Sequence, residues 1–390
     1  MDSTIHPFTP EIAHTDIEDL QQRLARTRFP DPETVEDWSQ GIPLQYVQEL
    51  CTYWQQDYDH ERAINSLRQW PNFVTSIDDI DVHFIHVRSA QSDATPLLLT
   101  HGWPGSVLEF RYLIDRLVDP ASHGDPSDQA FHVVVPSLPG YGFSGKPRAP
   151  GTDVNKIARM WDSLMQRLGY TRYLAHGGDW GAIVTQALGV QKLPGCVGIH
   201  ITLPLAVPDV EQFPDITEKE AAALAAFEYY QNHDSGYSKQ QSTRPQTLGY
   251  GLADSPVGQM AWIIEKFAQW TDCVRNGYRH PENAVSRDDM LDTVMLYWLT
   301  NAGASSARLY WESFNSPDMS AIEIPTGITL FPTEIMRLSQ RWADQRFSQL
   351  LYFNDDIAEG GHFAALEQPE TLARELWQWY TALNQQGVTV

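Results

Sequence analysis

The sequence predicts an α/β fold: a mostly parallel central sheet, a helical cap inserted between two of its strands, and an N-terminal meander. Three observations predict it. Short, continuous apolar strands alternate with loops and helices between residues 95 and 205. A helical block with no buried-strand signal follows. The strand pattern then resumes and closes on a final helix. Continuous apolar strands indicate a parallel sheet covered on both faces. A sheet interrupted by helices and then resumed indicates one α/β domain carrying a lid, which suits 390 residues.

Taken in order, residues 1–90 form the helical and meander region, packed on the core. It has helical stretches over Asp16 to Thr27 and Leu44 to Tyr58, Pro-rich turns, and an alternating strand from Val82 to Val87. The core comprises residues 91–205 and 321–390. Its first half holds strands Pro96 to Thr100 and Phe131 to Val135, the apolar run in YLAHGGDWG, and Gly195 to Pro204. The cap, residues 206–320, contains ITEKEAAALAAFEYY, PVGQMAWIIEKFAQWTD and RDDMLDTVMLYWLT. Strands in IPTGITLFP and QLLYFNDDIAEGGHF follow, then the helix TLARELWQWYTAL. Open parallel sheets bind ligands at the carboxyl ends of their strands, so the loops after these strands are where chemistry is expected.

Composition excludes several classes. With 27 Lys+Arg against 50 Asp+Glu, the net charge is −23, which repels phosphate backbones and anionic lipid; neither nucleic acid nor membrane is an expected partner. Cys51, Cys196 and Cys273 make no metal spacing and no disulfide framework, so a reducing compartment is expected and no metal or cofactor. The N-terminus is polar and acidic, unlike a signal peptide, and no apolar run approaches the roughly 18 residues of a membrane span. The expected location is cytoplasmic.

The stretch LAHGGDWGAIV, Leu174 to Val184, reads as strand, sharp turn, helix. In the α/β-hydrolase fold that turn carries the nucleophile as G-x-S-x-G; here Asp179 stands at its centre. Such an aspartate could simply cap the next helix. The apolar strand before it and the helical start after it favour a nucleophile elbow. A carboxylate with an ordinary pKa near 4 is ionised at neutral pH, so it can attack an sp³ carbon without a base and form an alkyl ester. The elbow therefore points to opening of an epoxide or displacement of a halide.

The ester must then be hydrolysed. His362, in AEGGHFAALEQP, follows the last strand, and Glu334, in LFPTEIM, follows the one before. Their chain order, nucleophile then acid then histidine, is that of α/β-hydrolases, with Glu334 orienting the imidazole. In this fold the loop HGWPGS and the residue after the nucleophile supply oxyanion-hole N–H groups, here those of Trp103 and Trp180. His101 and His176 are expected to be structural.

Together HGWPGS, PSLPGYGFS, GGDWG, FPTE and GGHFAALEQP resemble the microsomal-type epoxide hydrolases, and RTRFPDPE with the stretch from Trp54 to Phe73 resembles that family's N-terminal region. The resemblance covers nearly the whole chain and implies the α/β-hydrolase fold. It also implies two cap tyrosines that hold the epoxide oxygen: Tyr237 in the segment beginning SGYSKQQ, and Tyr310 in NAGASSARLYWES. Ring opening expels an alkoxide, and a phenol can donate to it. With 16 tyrosines in the chain, only the resemblance selects these two. It further implies a hydrophobic epoxide and water as substrates. Lacking the N-terminal anchor expected of the membrane-bound members, the sequence looks more like the soluble bacterial or fungal relatives, which commonly form homodimers; the residues themselves leave monomer and homodimer open. Two alternatives stand beside the epoxide hydrolase. A haloalkane dehalogenase would use the same aspartate, but usually carries Asn or Glu where this chain has Trp103. An inactive hydrolase-fold binding protein would usually have lost the nucleophile or the histidine.

Overall fold

The computed structural model describes residues 4–124, 129–209, 211–315, 317–388 and 390. Eleven strands are present among the described residues. Nine form one sheet: β1 (His6–Phe8), β2 (Asn72–Ile77), β3 (Ile80–Val87), β4 (Thr95–Thr100), β5 (Phe131–Pro136), β6 (Tyr173–Gly177), β7 (Cys196–Ile201), β10 (Thr326–Thr329) and β11 (Leu350–Asn354). Two short strands, β8 (Val274–Arg275) and β9 (Tyr278–Arg279), pair separately. The sheet order is β1-β2-β3-β5-β4-β6-β7-β10-β11. From β5 to β11 every neighbour is parallel, while β1, β2 and β3 add an antiparallel edge. The central strands β5 and β6 are buried at every position, as continuous apolar runs require when helices cover both faces. The fold is that of an α/β-hydrolase.

The first ninety residues hold three strands where the sequence suggested one. Asp78 and Asp79 both adopt positive φ, 49° and 62°. This turns β2 straight back into β3 in the manner of a two-residue hairpin whose twist matches its strands. A comparable pair, Asn276 and Gly277 at φ 54° and 80°, joins β8 to β9 inside the otherwise helical block. Those strands are two residues long and largely exposed, so they leave no buried-strand signal.

The N-terminal region also reaches beyond the core on which it was expected to pack. Helices His14–Ala25 and Leu44–Gln56 lie on helix Pro256–Trp270, and helix Arg62–Leu67 lies on helix Arg287–Leu299. Trp54 is fully buried and points its indole N–H at Met295 Sδ, 3.2 Å away. At this seam the carboxylate of Asp292, with no solvent exposure, accepts hydrogen bonds from Tyr58, Arg62 and Arg111. Asp289 beside it takes Arg111 at 2.6 Å and Arg62 at 3.1 Å. One charge cluster thus ties the N-terminal region, the loop after β4 and the inserted helices together. Among the described residues no helix is long and apolar enough to cross a membrane.

Removing one partner of such a cluster leaves buried charge without compensation. Asp292→Ala is expected to cost about 3–5 kcal/mol, read from urea denaturation. A loss under about 1 kcal/mol, the range of exposed pairs, would show that the seam contributes little.

Candidate active site

The elbow is built by close backbone approach. Asp179 begins helix Asp179–Val190 directly after β6, with φ at 48°. This left-handed conformation costs a residue with a side chain about 1–3 kcal/mol and aims that side chain off the strand end. The flanking glycines make it feasible. A Cβ on Gly181 would stand 1.8 Å from the Thr100 carbonyl oxygen, and one on Gly177 would stand 2.3 Å from Gly181's own carbonyl. Opposite the elbow, Gly102 clears the side chain itself, since a Cβ there would lie 2.2 Å from Asp179 Oδ1.

Three loops at the carboxyl ends of the parallel strands converge on this carboxylate. After β4, the Trp103 N–H donates to Asp179 Oδ1 at 2.7 Å. After β11, His362 Nε2 lies 3.2 Å from Asp179 Oδ2, a charge contact without the alignment of a hydrogen bond. After β10, Glu334 Oε1 meets His362 Nδ1 at 2.6 Å and also accepts the Ile335 N–H at 2.7 Å. Both His362 and Glu334 are buried. The bond to Glu334 directs the proton to Nδ1 and turns Nε2 toward Asp179. Burial disfavours the imidazolium, but Glu334 and Asp179 outweigh it and raise His362 well above its ordinary value. Trp180 lies in the first turn of the elbow helix, where backbone N–H groups have no partner within the helix.

Tyr237 and Tyr310 come together from separate inserted helices, Gly236–Thr243 and Gly303–Ser313. Their rings lie 5.8 Å apart, edge to face. Tyr237 stacks on Trp103 at 5.1 Å, and Tyr310 packs edge-on against Trp180 at 4.8 Å. The Tyr237 hydroxyl meets that of Tyr230 at 3.2 Å, whereas the buried Tyr310 hydroxyl makes no well-formed hydrogen bond among the described residues. Asp179 and both tyrosines line one cavity of about 220 Å³, whose walls include Leu203, Phe227, Phe314 and Met336. All seven candidate residues therefore meet at one place.

The two other histidines sit apart from this chemistry. His101 Nδ1 lies 3.0 Å from the Gly102 carbonyl and its Nε2 takes the Leu138 N–H at 3.2 Å, holding the loop. Burial pushes it down to about 4. His176 Nδ1 lies 3.0 Å from His200 Nδ1, and burial likewise pushes it to about 4. Sequence reasoning missed Tyr230, and it missed Trp270, whose carbonyl accepts the His362 N–H at 2.9 Å while its ring packs 4.9 Å from the imidazole. It also missed Glu109, a buried carboxyl whose ionisation burial pushes up to about 8. None of the three lies in a motif that suggests a site. Among the described residues no group of His, Cys, Asp and Glu could hold a metal ion.

Comparison with known proteins finds relatives along nearly the whole chain. Residues 5–110 match the family model described as "Epoxide hydrolase N terminus", and residues 95–228 match "alpha/beta hydrolase fold". The chain is 49% identical to the Stigmatella aurantiaca protein named "Putative epoxide hydrolase", over 97% of this chain and 86% of that one. It is 34% identical to "Epoxide hydrolase 1" of Sus scrofa, over 99% of this chain and 90% of that one. The crystal structure of the juvenile hormone epoxide hydrolase from the silkworm Bombyx mori superposes with a TM-score of 0.90 at 30% identity, covering 99% of this chain and 96% of that one.

The electrostatics of the histidine can be tested directly. In histidine-labelled protein, His362 is expected to titrate by NMR above the ordinary value of about 6.5, and Glu334→Gln and Asp179→Asn are each expected to lower it. A folded pKa above the unfolded one stabilises below about pH 6.5, and that stability is lost as pH rises through the folded value. The stability gap between the protein and His362→Gln should therefore narrow with rising pH. A His362 that titrates below 6.5 would refute the pairing.

Proposed function

The chain belongs to the epoxide hydrolase family, and on that premise we propose that it converts a hydrophobic epoxide to a vicinal diol through a covalent ester on Asp179. The observation that carries this reading is the two-sided hold on one carboxylate beneath two phenols. Oδ1 is bound by the Trp103 N–H, Oδ2 faces His362, and Tyr237 and Tyr310 roof the same cavity. The inserted helices act as the cap of the site.

In the first step Asp179 Oδ2 attacks one epoxide carbon, and the C–O bond of the ring breaks. The oxygen leaves as an alkoxide held by Tyr237 and Tyr310, which donate hydrogen bonds or a proton to it. Burial raises both phenols well above their ordinary value, so each holds its proton in the resting site and has it to give. In the second step His362, oriented by Glu334, takes a proton from water, and the hydroxide attacks the ester carbonyl carbon. The charge that develops on Oδ1 falls where the Trp103 N–H already points and where Trp180 starts the helix. Oxyanion-hole donors are typically worth about 3 kcal/mol each in the transition state. The diol leaves and Asp179 returns as a carboxylate. The apolar walls suit a hydrophobic substrate.

Splitting the two steps tests the assignment. With styrene oxide, His362→Gln is expected to form the ester but not release it, so intact mass should show an adduct on Asp179. Tyr237→Phe and Tyr310→Phe should each slow ring opening about a hundredfold, the lower range for general-acid catalysis. Full diol turnover by His362→Gln would refute the role of the histidine. Halide release from chlorinated or brominated alkanes without epoxide turnover would place the chain with the haloalkane dehalogenases, and binding without turnover would make it a binding protein.

A further inference from the structure

Helix Pro256–Trp270 presents Ile263, Lys266, Phe267 and Trp270 on one face, at the i, i+3, i+4, i+7 spacing of a buried stripe. All four are buried, and one is a lysine only 4% exposed. An apolar side chain would pack there without the desolvation that an ammonium carries, and a buried ionisable group of this kind points to a function.

The surroundings of Lys266 fix its direction. Nζ donates to Asp234 Oδ1 and pairs with Glu265 Oε2, each at 2.7 Å. The same ammonium lies 4.6 Å from the centre of the Tyr237 ring and 5.4 Å from that of Trp270. Asp234 Oδ2 in turn accepts the Trp270 indole N–H at 2.6 Å. Asp234 closes a π-helical turn, Tyr230–Asp234, whose first residue bonds the Tyr237 hydroxyl; such turns are frequent at functional sites. The carboxylates hold the cation from one side and the aromatic rings meet it from another, so it presents a fixed positive charge to the ring of Tyr237.

We propose that Lys266 is a positioning residue for ring opening, its ammonium stabilising the negative charge that Tyr237 gains as it donates to the leaving alkoxide. If the phenol passes its proton to the alkoxide oxygen, the O–H electron pair stays on Tyr237 as phenolate, and the next proton from water restores it. The cation makes no contact with substrate. It acts through the ring, where a desolvated cation–π contact is strengthened as the ring becomes electron-rich. Through Asp234 the same network holds the Trp270 indole against His362. The proposal rests on Tyr237 serving as an oxygen-holding phenol.

The test is single-turnover mixing with styrene oxide, with ester formation and ester hydrolysis followed separately by tryptophan fluorescence. Lys266→Met is expected to slow ester formation about tenfold, within the range of a buried cation–π contact. Hydrolysis should change less than about twofold, and Lys266→Arg should restore most of the rate. In a Tyr237→Phe background Lys266→Met should add no further loss, because the phenol through which it acts is gone. If Met at 266 strands Asp234 and Glu265 and the chain fails to fold, the triple replacement Lys266→Met, Asp234→Asn, Glu265→Gln removes the charges together and carries the same comparison. Ester formation at the parent rate in Lys266→Met would overturn the proposal. So would an equal loss with and without Tyr237, or a slowing of both steps alike, which would make Lys266 merely structural. Tyr237→Phe at the parent rate is the separate outcome that removes the reading of Tyr237 itself.

Discussion

Asp179 carries its side chain on a left-handed backbone, and the chain around it is arranged to hold it there. A helix cannot begin with φ at +48° unless the preceding strand ends directly beneath it and the neighbouring backbones come close. That closeness forbids a Cβ at Gly177 and Gly181 and, across the gap, at Gly102. The parallel order β4-β6-β7 then becomes functional. It sets the loop after β4 beside the elbow, so that the Trp103 N–H reaches Oδ1. The strands on the far side, β10 and β11, deliver Glu334 and His362 from loops that are themselves tight. A Cβ on Gly361 would meet Thr333 Oγ1 at 2.2 Å and the Trp270 carbonyl at 2.4 Å. The site is a meeting of strand ends, and glycine is what lets them meet.

The inserted helices complete it only if they stay in place. Two charge clusters serve that purpose at different depths. Near the N-terminal seam, Arg62 and Arg111 are shared between Asp289 and Asp292, which binds the helices to the core from outside. Closer in, Lys266 links Asp234 and Glu265 beneath Tyr237 and Trp270. A buried charge is expensive alone and directional when paired. Both clusters therefore penalise any displacement of the inserted helices that would separate the paired charges. On the proposed mechanism Tyr237 and Tyr310 need a fixed placement, since each must stand over a carboxylate that belongs to the other layer.

Much of this was legible in the sequence, for physical reasons that differ by element. Strands β4 and β5 were read within a residue because a strand buried on both faces has no polar position to blur it, whereas the run Gly195 to Pro204 overshot the end of β7 by three residues. Strands β1 and β2 were missed. The first is three residues long, and the turn Asp78-Asp79 reads as an ordinary acidic loop until its two positive φ values are seen. The convergence of Asp179, Glu334 and His362 was legible because each follows a strand, and chain order links them. The tyrosines were not legible from their surroundings. Tyr237 and Tyr310 lie on helices whose spacing matches any other packed tyrosine, and only a family resemblance chose them. Lys266 was hidden in a different way. Its helical face is readable, but its meaning depends on Asp234, 32 residues earlier, and on a ring from another helix.

The charges around Asp179 also bear on the order of the two proposed steps. In the resting site His362 is raised by two carboxylates, Glu334 at 2.6 Å and Asp179 at 3.2 Å. Both favour the imidazolium, which cannot act as a base. On the proposed reaction, attack turns Asp179 into a neutral ester and removes one of those charges, while the negative charge passes to the alkoxide under the cap tyrosines and is quenched by a proton. On that reading the imidazole loses one of the two carboxylates that favour its cation and keeps Glu334, while burial still works against the charge. On the proposed mechanism, ester formation thus shifts the histidine toward the neutral form that can take a proton from water. Serine in the same elbow would lack this coupling, because a neutral hydroxyl needs the base in the first step. If Asp179 is the nucleophile, its charge is one of those that raise its own histidine, and the 3.2 Å approach between them is the physical link.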